Sequence, residues 1–196
     1  MISEFQNLAD LGFGEGINEI IAVTEKDGVP NAAPIGVIKD GEKLTIRLFS
    51  GTHTIENILD TGFFTANVTH DPLVFAESAL ADLPEECFIR RDGVWTLKDA
   101  ESWALFKCDA YRLDIIIAEV RFVKGEVLRR EFRACNRGAN LVVEAAIDAT
   151  RYLALNTECY MDDIRKLDRI IRRCGGPGER QAMDRLWDLL ESHRPF

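Results

Sequence analysis

Eleven consecutive residues, Arg47-Leu48-Phe49-Ser50-Gly51-Thr52-His53-Thr54-Ile55-Glu56-Asn57, bring together one guanidinium, three hydroxyls and a glycine. Those are groups that hold a phosphate. Where a strand ends and a helix begins across such a loop, unpaired backbone N–H groups and the positive end of the helix dipole converge on one point. Arg47 precedes Ser50 by three residues, about 10 Å of strand, within reach of the same anion for a long side chain. Ser50, Thr52 and Thr54 are equally residues that cap a surface helix. On this motif alone, phosphate cradle and plain cap stand side by side.

Asn31-Ala32-Ala33-Pro34-Ile35-Gly36-Val37 is the second unusual segment. Pro34 removes a ladder donor and Gly36 removes a side chain, so the strand is not an ordinary central one and its backbone is open to a flat ligand. An edge strand or bulge without ligand is the other reading. Asn136-Arg137-Gly138 opens a helix and sets an arginine at its positive end, suited to an anion, with Asn136 as a plain N-cap the alternative. Gly12-Phe13-Gly14-Glu15-Gly16 falls short of a dinucleotide-binding loop, because the segment after it reads as strand and not helix; it reads as a flexible entry loop. Cys135 has no histidine near it in sequence and is not read as a nucleophile. Arg165, Lys166, Arg169, Arg172 and Arg173, interspersed with Asp162, Asp163 and Asp168, read as a solvated, salt-bridged helix face.

The elements that must position these groups follow from periodicity. Strands are expected over Asn18–Glu25, Val29–Ile38 and Lys43–Ser50, joined by turns at Asp27-Gly28 and Asp40-Gly41. A short helix over Thr54–Asp60 ends at Gly62, and Phe63–Thr69 resumes strand character. Asp71-Pro72 begins a further helix that Pro84 stops. Strands follow over Trp103–Arg112, Ile115–Lys124 and Val127–Arg133, with Gly125 as a turn. From Asn136 the period becomes helical: Val142, Ala145, Ala149 and Leu153, then Met161, Ile164, Leu167 and Ile171 up to a C-cap at Gly175-Gly176, then Met183, Leu186 and Leu190 behind Pro177. The six or seven strands close as a barrel or pack as a sandwich, so the fold class is α+β, with a β domain over 1–134 holding an inserted segment near 71–100 and a C-terminal helical subdomain over 135–196.

Composition sets the outer limits. A chain of 196 residues, 46% hydrophobic, buries a sizeable core. The net charge of −9 is carried by residues 1–124, where 11 Lys/Arg face 21 Asp/Glu, and it argues against nucleic acid or an anionic membrane as partner. Five cysteines without a C-x-x-C pair and three scattered histidines argue against a disulfide framework and against a metal site, and point to a reducing cytoplasm. No apolar run is long enough to span a membrane.

Three segments, N-A-A-P-I-G (Asn31–Gly36), R-x-x-S-x-T-x-T-x-x-N (Arg47–Asn57), and F-x-x-x-N-R with V-V-E-A-A-x-x-A-T-R (Phe132–Arg137, Val142–Arg151), together resemble an archaeal family of uncharacterised proteins. That family lies in the FMN-binding split-barrel superfamily, alongside flavin reductases and pyridoxamine-phosphate oxidases, and the resemblance covers nearly the whole chain. It implies an antiparallel split β-barrel of the FMN-binding type with a C-terminal helical appendage, forming a homodimer with FMN near the subunit interface. The ring would lie beside Asn31, Pro34, Ile35, Gly36 and Val37. Its phosphate would be held by Arg47, Ser50, Thr52 and Thr54, with His53 in the same loop and Asn57 as a supporting contact. Asn67 and His70 would reach the ribityl chain or ring edge, and Asn136 and Arg137 would close the site from the tail or the partner subunit. The implied activity is that of a flavin-reductase-like oxidoreductase acting on an unknown small molecule. A non-catalytic FMN store or sensor, or a barrel using deazaflavin or haem, is the alternative.

Overall fold

Period-two alternation builds one part of the chain and period-3.6 repetition the other. The computed structural model describes residues 7–48, 51–112 and 116–193. It divides into two units, one running up to Thr69 and from Pro84 to Glu131, the other His70–Leu83 and from Phe132 onward. The first unit holds β1 (Gly16–Lys26), β2 (Val29–Asp40), β3 (Lys43–Leu48), α1 (His53–Thr61), β4 (Phe63–Val68), β5 (Phe88–Arg91), β6 (Val94–Leu97), β7 (Ser102–Arg112) and β8 (Ile116–Val127). Six strands close an antiparallel barrel in the order β1-β2-β3-β8-β7-β4, and β5-β6 form a separate hairpin. Every second residue turns inward, so Ile20, Val37, Ile46, Phe64, Phe106 and Ala118 share one core. Phe106 lies at its aromatic centre, stacked on Phe64 at 5.3 Å between centroids and edge-on to Phe13 at 5.8 Å.

Two features depart from the sequence reading. After Val127 the chain leaves the sheet: Leu128 and Arg129 both donate to the Glu101 carbonyl, at 2.8 and 3.0 Å, and the strand expected over Val127–Arg133 does not form, Val127 being the last residue of β8. Gly125, expected as a turn, lies within β8 opposite Ala104. A Cβ there would stand 2.4 Å from the Trp103 carbonyl oxygen and 2.6 Å from Leu11 Cδ1, so the glycine serves close approach between strands. The entry segment is also anchored: Leu11 and Phe13 are buried in the core, and Asn18 accepts from the Gly14 N–H at 2.8 Å while its amide donates back to the Gly14 carbonyl at 2.9 Å.

The outward face of β4 is covered by the hairpin. Thr65 Oγ1 donates to the Trp95 carbonyl at 2.7 Å, the Leu97 N–H donates to Asn67 Oδ1 at 2.9 Å, and the Trp95 indole N–H donates to the Gly28 carbonyl at 3.2 Å.

The second unit holds α2 (Pro72–Leu80), α3 (Arg137–Leu155), α4 (Glu158–Cys174) and α5 (Pro177–Ser192). Ala76, Val142, Ala145, Ile164, Met183 and Leu186 are among the residues of its core. The segment 71–100 therefore divides: its helix carries apolar residues that pack in the helical unit, and its hairpin packs on the barrel. Asp71 caps α2 through the Leu73 N–H at 2.9 Å, and Asn136 caps α3. Gly175 ends α4 in an extended conformation, where a Cβ on Gly138 would stand 2.7 Å from its Cα. Those glycines let two helix ends touch backbone to backbone. No helix among the described residues is long and apolar enough to cross a membrane.

Candidate functional site

Strand β3 fixes the direction of Arg47. Leu44, Ile46 and Leu48 point into the core, so Thr45 and Arg47 point outward, Arg47 lying opposite Ile117 of β8. Its guanidinium is exposed and makes no hydrogen bond or ion pair with any described residue. Ser50 lies outside the described residues. Beyond it Gly51 takes φ 80°, a left-handed turn that glycine adopts without strain and that aims the chain into α1.

The start of α1 bears on both readings of this loop. Thr52 occupies the N-cap position in extended geometry, yet its side chain makes no capping hydrogen bond, whereas Asp71 and Asn136 do cap their helices. The Thr52 carbonyl accepts from the Glu56 N–H at 3.2 Å, the first bond of the helix ladder. His53 is exposed and Thr54 buried, and Ile55 and Ile58 anchor the helix in the barrel core. Asn57, 3% exposed, donates from Nδ2 to Thr24 Oγ1 at 3.0 Å and leaves Oδ1 buried without a partner. Exchanging the two amide atoms would only move the vacancy to the nitrogen. A buried amide half satisfied costs free energy unless another group completes it.

Asn31, Pro34, Ile35, Gly36 and Val37 all lie on β2, which pairs with β1 along its whole length but with β3 only from Val37 to Asp40. Among the described strands, Val29–Gly36 has no neighbour on its second edge, which explains how Pro34 is tolerated. The barrel itself is closed, and this edge is the stretch of β2 that β3 does not pair. Helix α1 packs on β1 and touches β2, so the loop and the edge strand belong to one neighbourhood. Gly36 does not leave the space its sequence suggests: a Cβ there would meet Ile17 Cγ2 at 2.8 Å and Glu19 Oε1 at 3.2 Å, because side chains of β1 lean across it. The accessible feature of this strand is its backbone edge.

The remaining candidates divide between the two units, Asn67 in the first and His70, Asn136 and Arg137 in the second. Asn67 is fully buried and wholly engaged, donating to the Ile21 and Thr65 carbonyls at 3.1 and 3.2 Å and accepting from the Leu97 N–H. It braces the hairpin and has no polar atom left for a ligand. His70 is exposed and belongs to the helical unit, as do Asn136 and Arg137. Asn136 Oδ1 accepts from the N–H groups of Gly138 and Ala139 at 2.8 and 3.2 Å, and its Nδ2 donates to Glu179 Oε1 at 2.8 Å. Glu179 in turn accepts from the Gly176 N–H at 2.7 Å, so Asn136 ties the starts of α3 and α5 together. Glu179 escaped the sequence reading, though its spacing three residues after Gly176 at a Pro-opened helix is a capping signal.

The family model described as the N-terminal domain of a protein of unknown function, DUF447, matches residues 18–129, and its C-terminal counterpart matches 136–188. The chain belongs to the DUF447 family. The uncharacterised protein MJ1453 of Methanocaldococcus jannaschii is 30% identical over 187 residues, which span 86% of this chain and 95% of that one. Among solved structures, the FMN-bound DUF447 protein MM1853 from Methanosarcina mazei is 36% identical with a TM-score of 0.87, covering 93% of this chain and 100% of its own. The flavin reductase SMOB of a styrene monooxygenase from Pseudomonas putida S12 is 19% identical with a TM-score of 0.48, covering 62% of this chain and 86% of that chain.

Proposed function

We propose that this DUF447 protein binds FMN and works as an oxidoreductase of the flavin-reductase-like type, using a reduced nicotinamide as donor. The observation that carries the reading is the likeness to FMN-bound MM1853 over the full length of that chain. The residues here fit the group. Arg47 is a cation without a partner among the described residues, α1 begins without a side-chain cap, and Asn57 holds a buried amide atom that lacks a partner.

In this reading the phosphate is held by Arg47, the N–H groups opening α1, and the hydroxyls of Ser50, Thr52 and Thr54, with His53 beside them. A charge-assisted phosphate contact contributes about 1.5–3 kcal/mol. Asn57 takes a hydroxyl of the ribityl chain, completing its amide. The unpaired N–H and C=O groups of Val29–Gly36 read the heteroatoms along the ring edge, as an unpaired strand edge reads any partner. Asn67 and Asn136 act as braces and not as ligands. Bound FMN supplies the electron-transfer chemistry, and the protein binds, orients and tunes it.

A second copy of the chain covers the ring face that β2 leaves open, and the exposed Ile17 and Val29 near that edge fit such a contact. Light scattering is expected near 44 kDa, twice the 22.1 kDa of one chain. The reaction is tested by anaerobic mixing with NADH or NADPH while the flavin absorbance is followed. Bleaching of bound flavin within seconds is the expected outcome. Flavin that stays oxidised would make the protein an FMN carrier or sensor, and a spectrum of deazaflavin or haem in the purified protein would displace FMN altogether.

A further inference from the structure

The basic face of α4 is mostly paired with carboxylates: Arg165 with Asp162, Lys166 with Asp163, and Arg172 with both Asp168 and Asp184. Arg173 has no such partner among the described residues, and neither has Arg137, the first residue of α3. The close contact of Gly138 with Gly175 brings the start of α3 against the end of α4. There Arg137, Ile170, Arg173 and Cys174 line a cavity of about 320 Å³.

Two arginines line one cavity, and an anion held there would be drawn to both. Glu179 at the head of α5, which Asn136 ties to the start of α3, is engaged by Asn136 Nδ2 and the Gly176 N–H. Asn136 also takes the N–H groups of Gly138 and Ala139, so the start of α3 adds its positive field but not those two donors. The −9 of the chain is carried by residues 1–124, and this cavity lies outside that stretch.

We propose that this cavity binds the phosphate of a small organic phosphate monoester, with the carbon part of the ligand against Ile170. A monoester carries about −1.5 to −2 at neutral pH, which two guanidiniums match, whereas a single carboxylate leaves one of them uncompensated. The phosphate comes either from the flavin or from a phosphorylated substrate. The inference stands independently of the barrel site.

Cys174 reports on occupancy, because its thiol is exposed on the cavity wall, and Cys159, exposed on the same helix, is an internal control. The full-length protein is alkylated with iodoacetamide, and each cysteine is followed by peptide mass spectrometry in the presence of phenyl phosphate, phenol or inorganic phosphate. Alkylation of Cys174 is expected to slow about tenfold at saturating phenyl phosphate, less with inorganic phosphate and not with phenol, while Cys159 is unchanged. Arg173→Ala, an exposed substitution that should fold normally, is expected to abolish the protection.

A parallel arm adds FMN and follows its fluorescence quenching, so that flavin binding is read separately from the cavity. Protection of Cys174 by stoichiometric FMN assigns the cavity to the flavin phosphate. Protection by phenyl phosphate in protein already saturated with FMN assigns it to a second phosphorylated molecule. No protection of Cys174 by either ligand, equal slowing at Cys159, or full protection surviving in Arg173→Ala would overturn the proposal, whatever the flavin binding shows.

Discussion

Single side chains divide here between those with a free polar atom and those already engaged, and that division decides which of them serve a ligand. Arg47 has none of its donors engaged by a described residue. Arg47→Ala should therefore weaken FMN by at least about tenfold while leaving riboflavin, which lacks the phosphate, nearly unchanged. The check is a pair of fluorescence-quenching titrations, and equal losses for the two ligands would remove Arg47 from the phosphate site. Asn67 is the opposite case. Asn67→Leu strands the Leu97 N–H and the Ile21 carbonyl in a dry interface, a loss of about 3 kcal/mol that should lower the Tm by roughly 10 °C. Its FMN affinity, measured well below the Tm, should stay within about twofold of wild type, since a brace contributes little to binding when the fold is intact. In the sequence, Asn57 in the expected helix and Asn67 in the strand after it both read as polar residues available to a ligand. Only the cross-chain partners, 33 residues away for Asn57 and 30 or 46 for Asn67, tell them apart.

At the scale of elements, what is local was legible and what is long-range was not. The first three strands, α1 with its Gly62 stop and the three tail helices follow from alternation, glycine turns and caps within a few residues. The strand expected over Val127–Arg133 fails because Leu128 and Arg129 find the Glu101 carbonyl, a partner that no local pattern announces. Gly125 was misread for the same reason. Gly125→Ala should push β8 away from the Trp103 backbone and cost about 3 kcal/mol, seen as a fall of roughly 10 °C in Tm; a fall under about 2 °C would mean that the strands yield easily. In α3, burial first and then the charges of Glu144 and Asp163 raise the Asp148 carboxyl above its ordinary value near 3.8, with Arg151 opposing them. An acid whose folded pKa is raised favours the folded state while protonated. That contribution is complete below the unfolded pKa and is lost as pH rises through the folded one. Asp148→Asn should therefore gain in Tm relative to wild type between about pH 4 and pH 7, and thermal melts showing a constant difference across that range would contradict the assignment.

Across the whole molecule, the proposed site for a flat ring with a phosphate tail rests on a closed barrel whose β2 keeps one edge unpaired over Val29–Gly36, and on a loop whose Arg47 has no partner among the described residues. The sequence made the loop legible, because Arg47 and the residues from Ser50 to Asn57 lie in one segment. Pro34 marked its strand as an edge or bulge, but the point where β2–β3 pairing breaks, at Val37, is a property of the closed sheet, and Arg173, without a partner among the described residues, looks like its paired neighbours until Arg172 is seen holding Asp184 from α5. The central claim is that this is an FMN site and not a generic flavin surface. It is tested most directly by titrating the purified apoprotein with FMN and with riboflavin under identical conditions. Phosphate contacts of about 1.5–3 kcal/mol each predict that FMN binds at least tenfold more tightly. Equal dissociation constants for the two flavins would contradict the account.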